Sequence, residues 1–224
     1  MRLAIVVPVL NEENALERHL PAAFAEADEI VVSDGGSTDS SLAVAEALGA
    51  RTVSGAPCRG GQLNRGAAAA PDAEILLFLH ADTTLPPGSG RAVREAIAQG
   101  AAGGAFYVRF DRDRPAFRLG TRIVNLRTRW TRLPLGDQAQ FVRRDVFEKL
   151  GGYRDWPILE DLDFAWRLRR EHGLVLLAGP ATTAARRFVE GGIARTIATN
   201  WLIWALFLIG VSPHRLARLY RHIR

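Results

Sequence analysis

The chain has 224 residues, 48% of them hydrophobic and 24% charged, with a formal net charge of +5, a size that suits one domain, alone or with a small appendage. Cys58 is its one cysteine, which excludes an internal disulfide framework and points to a reducing compartment, with the cytoplasm as the default. Residues 186–224 carry seven Arg against Glu190 alone, a net of +6, and the rest of the chain is near neutral at −1, so the basicity belongs to the tail and not to a recognisable nucleic-acid module.

Met1 to Pro8 breaks at a proline too early for the apolar stretch of a secretory signal, and reads instead as a first strand. The apolar runs Leu3 to Pro8, Glu29 to Ser33, Ala50 to Ser54 and Ile75 to Leu79 predict strands of a sheet covered on both faces. Between them, Glu12 to Ala27, Asp39 to Leu48 and Gly61 to Ala69 are Ala- and Leu-rich with helical spacing. This alternation predicts an α/β domain: a mostly parallel, Rossmann-like sheet flanked by helices, with ligands at the carboxyl ends of the strands.

The Arg-rich stretch 109–132 departs from the alternation. Phe117, Ile123, Val124, Leu126 and Trp130 are interspersed with Arg118, Arg122, Arg127, Arg129 and Arg132. That pattern suits a helix lying on lipid headgroups, one gripping an anionic acceptor, or a solvated Arg face over a core stripe. In the tail, the apolar run Trp201 to Val211 would cover about 16 Å of helix, short of the ~30 Å hydrocarbon core. Arg215, Leu216, Arg218, Leu219, Tyr220, Arg221 and Ile223 then form an amphipathic segment. Its two readings are a core-packed helix with a solvated basic face and a peripheral anchor on an anionic membrane surface, the inner face of the cell membrane.

Chemistry-bearing residues stand where the strands end. Asn11, Glu12 and Glu13 follow the first strand, Asp34-Gly35-Gly36-Ser37-Thr38-Asp39 the second, and His80-Ala81-Asp82 the fourth. Neither a G-x-G-x-x-G turn nor a Gly-Lys-Ser/Thr loop is present. Asp34 can accept hydrogen bonds from a base or ribose, Gly35 and Gly36 permit close backbone approach, and Ser37 or Thr38 is suited to cap the next helix. Asp82 offers the hard oxygen that a divalent cation prefers, with a diphosphate completing its shell and His80 a possible second ligand or simply a packed histidine. Gly151-Gly152-Tyr153 precedes Glu160, Asp161 and Asp163, three carboxylates at the mouth of a helix. They complement the helix dipole, or one takes a proton from an attacking hydroxyl. Gly136-Asp137-Gln138 is placed to line an acceptor pocket.

Taken in this order and spacing, Pro8 to Glu13, Asp34 to Asp39, Arg59-Gly60-Gly61-Gln62-Leu63-Asn64, His80-Ala81-Asp82, Gly151-Gly152-Tyr153 and Glu160-Asp161 resemble the GT-A glycosyltransferases of family two. The short form is similar to a small bacterial subgroup sometimes labelled arsenosugar-biosynthesis glycosyltransferases. The resemblance covers about residues 1–185 and leaves 186–224 as a basic, apolar helical tail. It implies a nucleotide-diphosphate donor, UDP- or GDP-linked, and a hydroxyl acceptor. Pro8, Asn11 and Glu12 would line the nucleotide pocket, Asp34 would contact the base with Gly36 and Ser37 beside it, and Arg59 and Asn64 would lie near the nucleotide sugar. Asp82, with His80 where many relatives carry a carboxylate, would hold Mg²⁺ or Mn²⁺. Asp161 would be the base of an inverting displacement, supported by Glu160. Two other classes compete: a nucleotidyltransferase, which would want a basic Gly-rich loop where Asn11-Glu12-Glu13 stands, and a membrane-tethered nucleotide-sugar binding module, for which Asp161 would be superfluous. A nucleic-acid partner is not expected.

Overall fold

The computed structural model describes residues 1–186 and 192–223. Arg187, Glu190 and Arg224, counted above in the charge of the tail, lie outside the described residues, as do the side chains of Trp201, Arg221 and Ile223. Among the described residues, the strands β1 (Leu3–Val9), β2 (Glu29–Asp34), β3 (Arg51–Ser54), β4 (Ile75–Phe78), β5 (Thr83–Thr84), β6 (Gly103–Phe110), β7 (Phe141–Arg143) and β8 (Val175–Thr183) form one sheet. Their spatial order is β3-β2-β1-β4-β7-β6-β8-β5. The helices are α1 (Glu13–Ala23), α2 (Ser41–Ala47), α3 (Arg59–Ala68), α4 (Ser89–Ala98), α5 (Pro115–Thr131), α6 (Arg144–Lys149), α7 (Glu160–His172), α8 (Ile193–Leu208) and α9 (Pro213–Ile223), with a 3₁₀ turn at Gly136–Gln138.

The continuous apolar character of β1 follows from its central place. Leu3, Ile5, Val7 and Val9 pack into one core with Leu16 and Leu20 of α1 and Val93 and Ile97 of α4. Ala4 and Val6 point the other way, into a second core with Leu63 of α3, Phe147 of α6 and Phe164 and Leu168 of α7. A strand covered on both faces has no polar side to show, and alternation disappears.

The first four strands pair in parallel, β3 with β2, β2 with β1 and β1 with β4, so the ends of β1, β2 and β4 share one edge. Beyond β4 the sheet is mixed. β7 runs antiparallel to both β4 and β6, β8 parallel to β6, and β5 antiparallel to β8. The apolar runs report burial, whereas the direction of pairing depends on connections that they do not encode.

α5 lies on β6 through Asn125, whose amide donates to the Val108 carbonyl at 2.9 Å and accepts from the Val108 N–H at 3.0 Å. Phe117 and Thr128 of α5 are buried, Val124 is half-buried, and Ile123, Leu126 and Trp130 are exposed. The reading of an Arg face over a core stripe therefore fails for most of that stripe. In α9, by contrast, Leu216 and Ala217 are buried while Arg215 and Arg218 are exposed, as in a packed helix with a solvated basic face. Among the described residues no helix is long and apolar enough to cross a membrane.

Candidate functional site

The segments after β1 and β2 are stitched together by the polar side chains that the sequence marks. The Asn11 N–H donates to Ser37 Oγ at 2.8 Å, and Asn11 Oδ1 accepts from the Thr38 N–H at 2.8 Å. Asn11 sits at φ 55°, a left-handed conformation that Asn tolerates better than most residues. Asp39 Oδ1 accepts from the N–H and hydroxyl of Ser41, and its Oδ2 from the Glu13 N–H. Ser37 and Thr38 do not cap a helix: α2 begins only at Ser41, and their groups are spent on Asn11 and Asp34.

Asp34 is 1% exposed. Its carboxylate accepts from the Gly36 N–H at 2.8 Å, the Ser37 N–H at 3.1 Å and the Ser37 hydroxyl at 2.5 Å. Those bonds offset the desolvation that a carboxylate suffers at this depth. They also fix the backbone of Gly36, whose φ of 91° suits a residue without Cβ.

α3 supplies the floor. Gln62, 6% exposed, donates to the carbonyls of Val9 and Ser33 at 2.8 and 3.0 Å, tying the ends of β1 and β2 together. Arg65 donates to the Asp34 carbonyl at 3.0 Å. Asn64 faces elsewhere: its amide donates to the Tyr153 carbonyl at 2.8 Å and accepts from the Tyr153 N–H at 2.9 Å, which pins the Gly151-Gly152-Tyr153 turn to α3. Gly60 is where the same turn region comes closest; a Cβ there would lie 1.9 Å from the Arg154 carbonyl oxygen.

Arg59, His80 and the adjacent pair Glu160 and Asp161 come together from three separate stretches of sequence and line one small cavity with Gly136, Gln140 and Tyr153. Arg59 Nε lies 3.2 Å from Glu160 Oε1, and its Nη2 meets His80 Nε2. Glu160 is 3% exposed. Burial, and then the neighbouring Asp161 charge, push its carboxyl up to about 7, against the opposing pull of Arg59. Asp161 Oδ2 accepts from the Gly136 N–H at 2.6 Å, and a Cβ on Gly136 would lie 2.6 Å from His80 Nε2. Glycine is thus required where the 3₁₀ turn passes between these two side chains. Gln140 donates to the carbonyls of Pro134 and Asp161 and accepts from the Tyr153 hydroxyl. Desolvation raises the pKa of that fully buried phenol well above its ordinary value.

The carboxylates of α7 divide their work. Glu160 turns to Arg59 and Asp161 to Gly136, while Asp163 pairs with Arg154 at 3.1 Å and Arg167 at 2.7 Å. Leu159, just before them, holds φ 65°, which costs a residue with a side chain about 1 kcal/mol.

Asp82 stands two residues beyond His80 and is half-buried. Among the described residues no group of three or more His, Cys, Asp or Glu side chains is arranged to hold a metal ion. Glu12 pairs with Arg186 at 3.5 Å, and Pro8 is half-buried beside Ser33 in the β1–β2 ladder. A separate open pocket at the amino ends of β2 and β3, beside Phe24, Glu29 and Arg51, contains none of the predicted site residues.

Gln62 and Gln140 carry no role in the sequence reading, because a buried glutamine has no local signature, and Gln138, expected to line an acceptor pocket, is instead a buried tie. Gln138 is fully buried, bonded to Thr128 Oγ1 at 2.9 Å and to the Phe106 carbonyl at 3.1 Å. Arg127 is a partial case, since it is one Arg in a basic stretch. In the fold its guanidinium is half-buried, with burial lowering its pKa against the opposing charges of Asp137 and Asp161, and it lies 5.1 Å over the Trp204 ring.

The fold is shared with solved glycosyltransferase structures. Residues 1–349 of TarS from S. aureus superpose with a TM-score of 0.66 at 17% identity, over 88% of this chain. This chain spans 64% of that TarS structure. Glucosyl-3-phosphoglycerate synthase from Mycobacterium tuberculosis, in complex with Mn²⁺, UDP-glucose and phosphoglyceric acid, superposes with a TM-score of 0.62 at 20% identity, over 90% of this chain and 78% of its own. No curated protein matches the chain in sequence. The family model "Glycosyl transferase family 2" matches residues 4–152, more than half of the chain and every predicted site residue except Glu160 and Asp161, and the chain therefore belongs to glycosyl transferase family 2.

Proposed function

We propose that this chain transfers a sugar from a nucleotide-diphosphate donor to a hydroxyl acceptor by a single, inverting displacement, with residues 1–185 as the transferase unit and 186–224 as an appended tail. The observation that carries the reading is the convergence of Arg59, His80, Glu160 and Asp161 at one cavity beside the strand ends, in a chain of this family. In this reading the nucleoside rests against Pro8, Asn11, Glu12 and the Asp34–Ser37 turn, with Arg59 toward the diphosphate. Asn64 contributes at a distance, by holding Tyr153.

Asp161 accepts the proton of the acceptor hydroxyl as that oxygen bonds to the anomeric carbon. The bond from that carbon to the diphosphate oxygen breaks, and the nucleoside diphosphate leaves. The Gly136 N–H holds one Asp161 oxygen in place, and Glu160 anchors Arg59. The donor set fits a cation held chiefly by the diphosphate: Asp82 supplies one carboxylate, as Mg²⁺ sites on nucleotides commonly require, while His80 Nε2 already meets Arg59. Mg²⁺ or Mn²⁺ bound there would neutralise charge on the departing diphosphate. The solved Mycobacterium tuberculosis synthase with Mn²⁺ and UDP-glucose lends support to this donor class.

The test is binding and turnover of a panel of UDP- and GDP-sugars with Mg²⁺ or Mn²⁺, comparing the unaltered protein with Asp82→Ala and Asp161→Asn. Metal-dependent donor binding weakened by the first change, with turnover lowered at least about a hundredfold by the second, supports the reading. Failure of every nucleotide sugar to bind in either metal rejects it.

A further inference from the structure

We propose that the outward face of α5 is a docking surface for an anionic lipid bilayer. This does not depend on the transferase reading. Phe117, Asn125 and Thr128 turn α5 toward the body. At 3.6 residues per turn, Leu119, Ile123, Leu126 and Trp130 fall about 180° around the helix from them. Those four side chains are 58%, 49%, 48% and 78% exposed. The arrangement inverts the ordinary amphipathic helix, whose apolar stripe faces the core. Isolated exposed apolar residues need no explanation, but four in one row, ending in a tryptophan, form a patch.

Charge selects the occupant. α5 contains Arg118, Arg122, Arg127 and Arg129 and no acidic residue, and Arg122 and Arg129 are exposed along one side of the stripe. A second copy laid on the same stripe would bring arginines against arginines with no carboxylate in either helix. A bilayer with anionic headgroups supplies negative charge at the depth of the guanidinium groups and hydrocarbon beneath it, where Trp130 suits the boundary. The tail, the other membrane candidate that the sequence advertises, has packed Leu216 and Ala217 away. α8 instead meets α5 at Trp204 and Arg127 and exposes Leu202, with Ile209 exposed just past its end. α5 also leads directly into the Gly136 turn that holds Asp161, so a docked α5 would set the candidate site close to the membrane surface.

The test is co-sedimentation of the full chain with vesicles of phosphatidylcholine alone and of phosphatidylcholine mixed with phosphatidylglycerol, with folding of each variant checked by circular dichroism. The expected result is binding to the anionic vesicles that weakens in high salt. Binding should fall about tenfold or more in Ile123→Glu/Trp130→Glu, and about fivefold or more for each charge reversed in Arg122→Glu/Arg129→Glu. Tryptophan quenching by brominated lipid in the unaltered protein needs no folded charge variant, and its loss in Trp130→Phe would support the same face. Failure of the unaltered protein to bind anionic vesicles overturns the proposal. So does undiminished binding or quenching in the α5 variants, which would assign contact to another surface, and so does a dimer that the Glu variants convert to monomer, which would assign the stripe to a second copy.

Discussion

Arg59 and Glu160 form a 3.2 Å ion pair between the first residues of α3 and α7. A cation at a helix N-terminus opposes the helix dipole, and a carboxylate at one complements it; the buried acid at the start of α7 therefore compensates the poorly placed base at the start of α3. Removing Arg59 leaves the acid desolvated beside Asp161. Arg59→Ala should lower stability by about 2 to 3 kcal/mol at pH 8 and by much less at pH 5, where Glu160 is protonated. Urea unfolding at the two pH values reads the difference.

The Glu160 carboxyl, pushed up from its ordinary 4.5 to about 7, also makes stability depend on pH in the unaltered protein. A raised acid favours the folded state fully below its unfolded value, and that contribution is lost as pH rises through the folded value. Between pH 4.5 and about 7 this group should withdraw roughly 3 kcal/mol. Glu160→Gln should flatten the stability profile across that window. An unchanged slope in urea melts would show that other groups set the profile.

Gly60 and Gly61 are neighbours with opposite tolerance. Gly60→Ala puts a methyl 1.9 Å from the Arg154 carbonyl oxygen, whereas at Gly61 the nearest atom is the Asp155 Oδ1 at 3.2 Å. Backbone against backbone has no cheap escape, so Gly60→Ala should cost about 2 kcal/mol or more and lower activity by moving Arg59 away from Glu160. Gly61→Ala should come close to the parent in thermal melts and in turnover.

Asp34→Ala leaves the N–H groups of Gly36 and Ser37 without the carboxylate that receives them. About 2 kcal/mol of stability should go with it, and donor affinity should fall because the turn beside Asn11 loosens. Asp34→Asn keeps one acceptor oxygen and should retain part of both. Equilibrium unfolding and nucleotide titration on the same preparations compare the two effects.

The local sequence determined the first half of the sheet. Leu3 to Pro8, Glu29 to Ser33, Ala50 to Ser54 and Ile75 to Leu79 correspond to β1–β4 within a residue or so at each end, because a strand buried on both faces must be apolar throughout. The sequence also marked His80, Glu160 and Asp161, since polar groups directly after apolar residues stand where the chain leaves the core, and the family resemblance added Arg59. Only the tertiary structure decided how those groups are used. It turned Asp34 into the keystone of its own loop, joined Arg59 to Glu160, gave Asn64 to the Tyr153 backbone and employed Gln62, Gln138 and Gln140 as buried ties. Each of these depends on what long-range packing brings within hydrogen-bond reach. The faces of α5 and α9 were undecidable for the same reason: helical spacing shows that a stripe exists, and only the packed body determines whether it points toward protein or away from it.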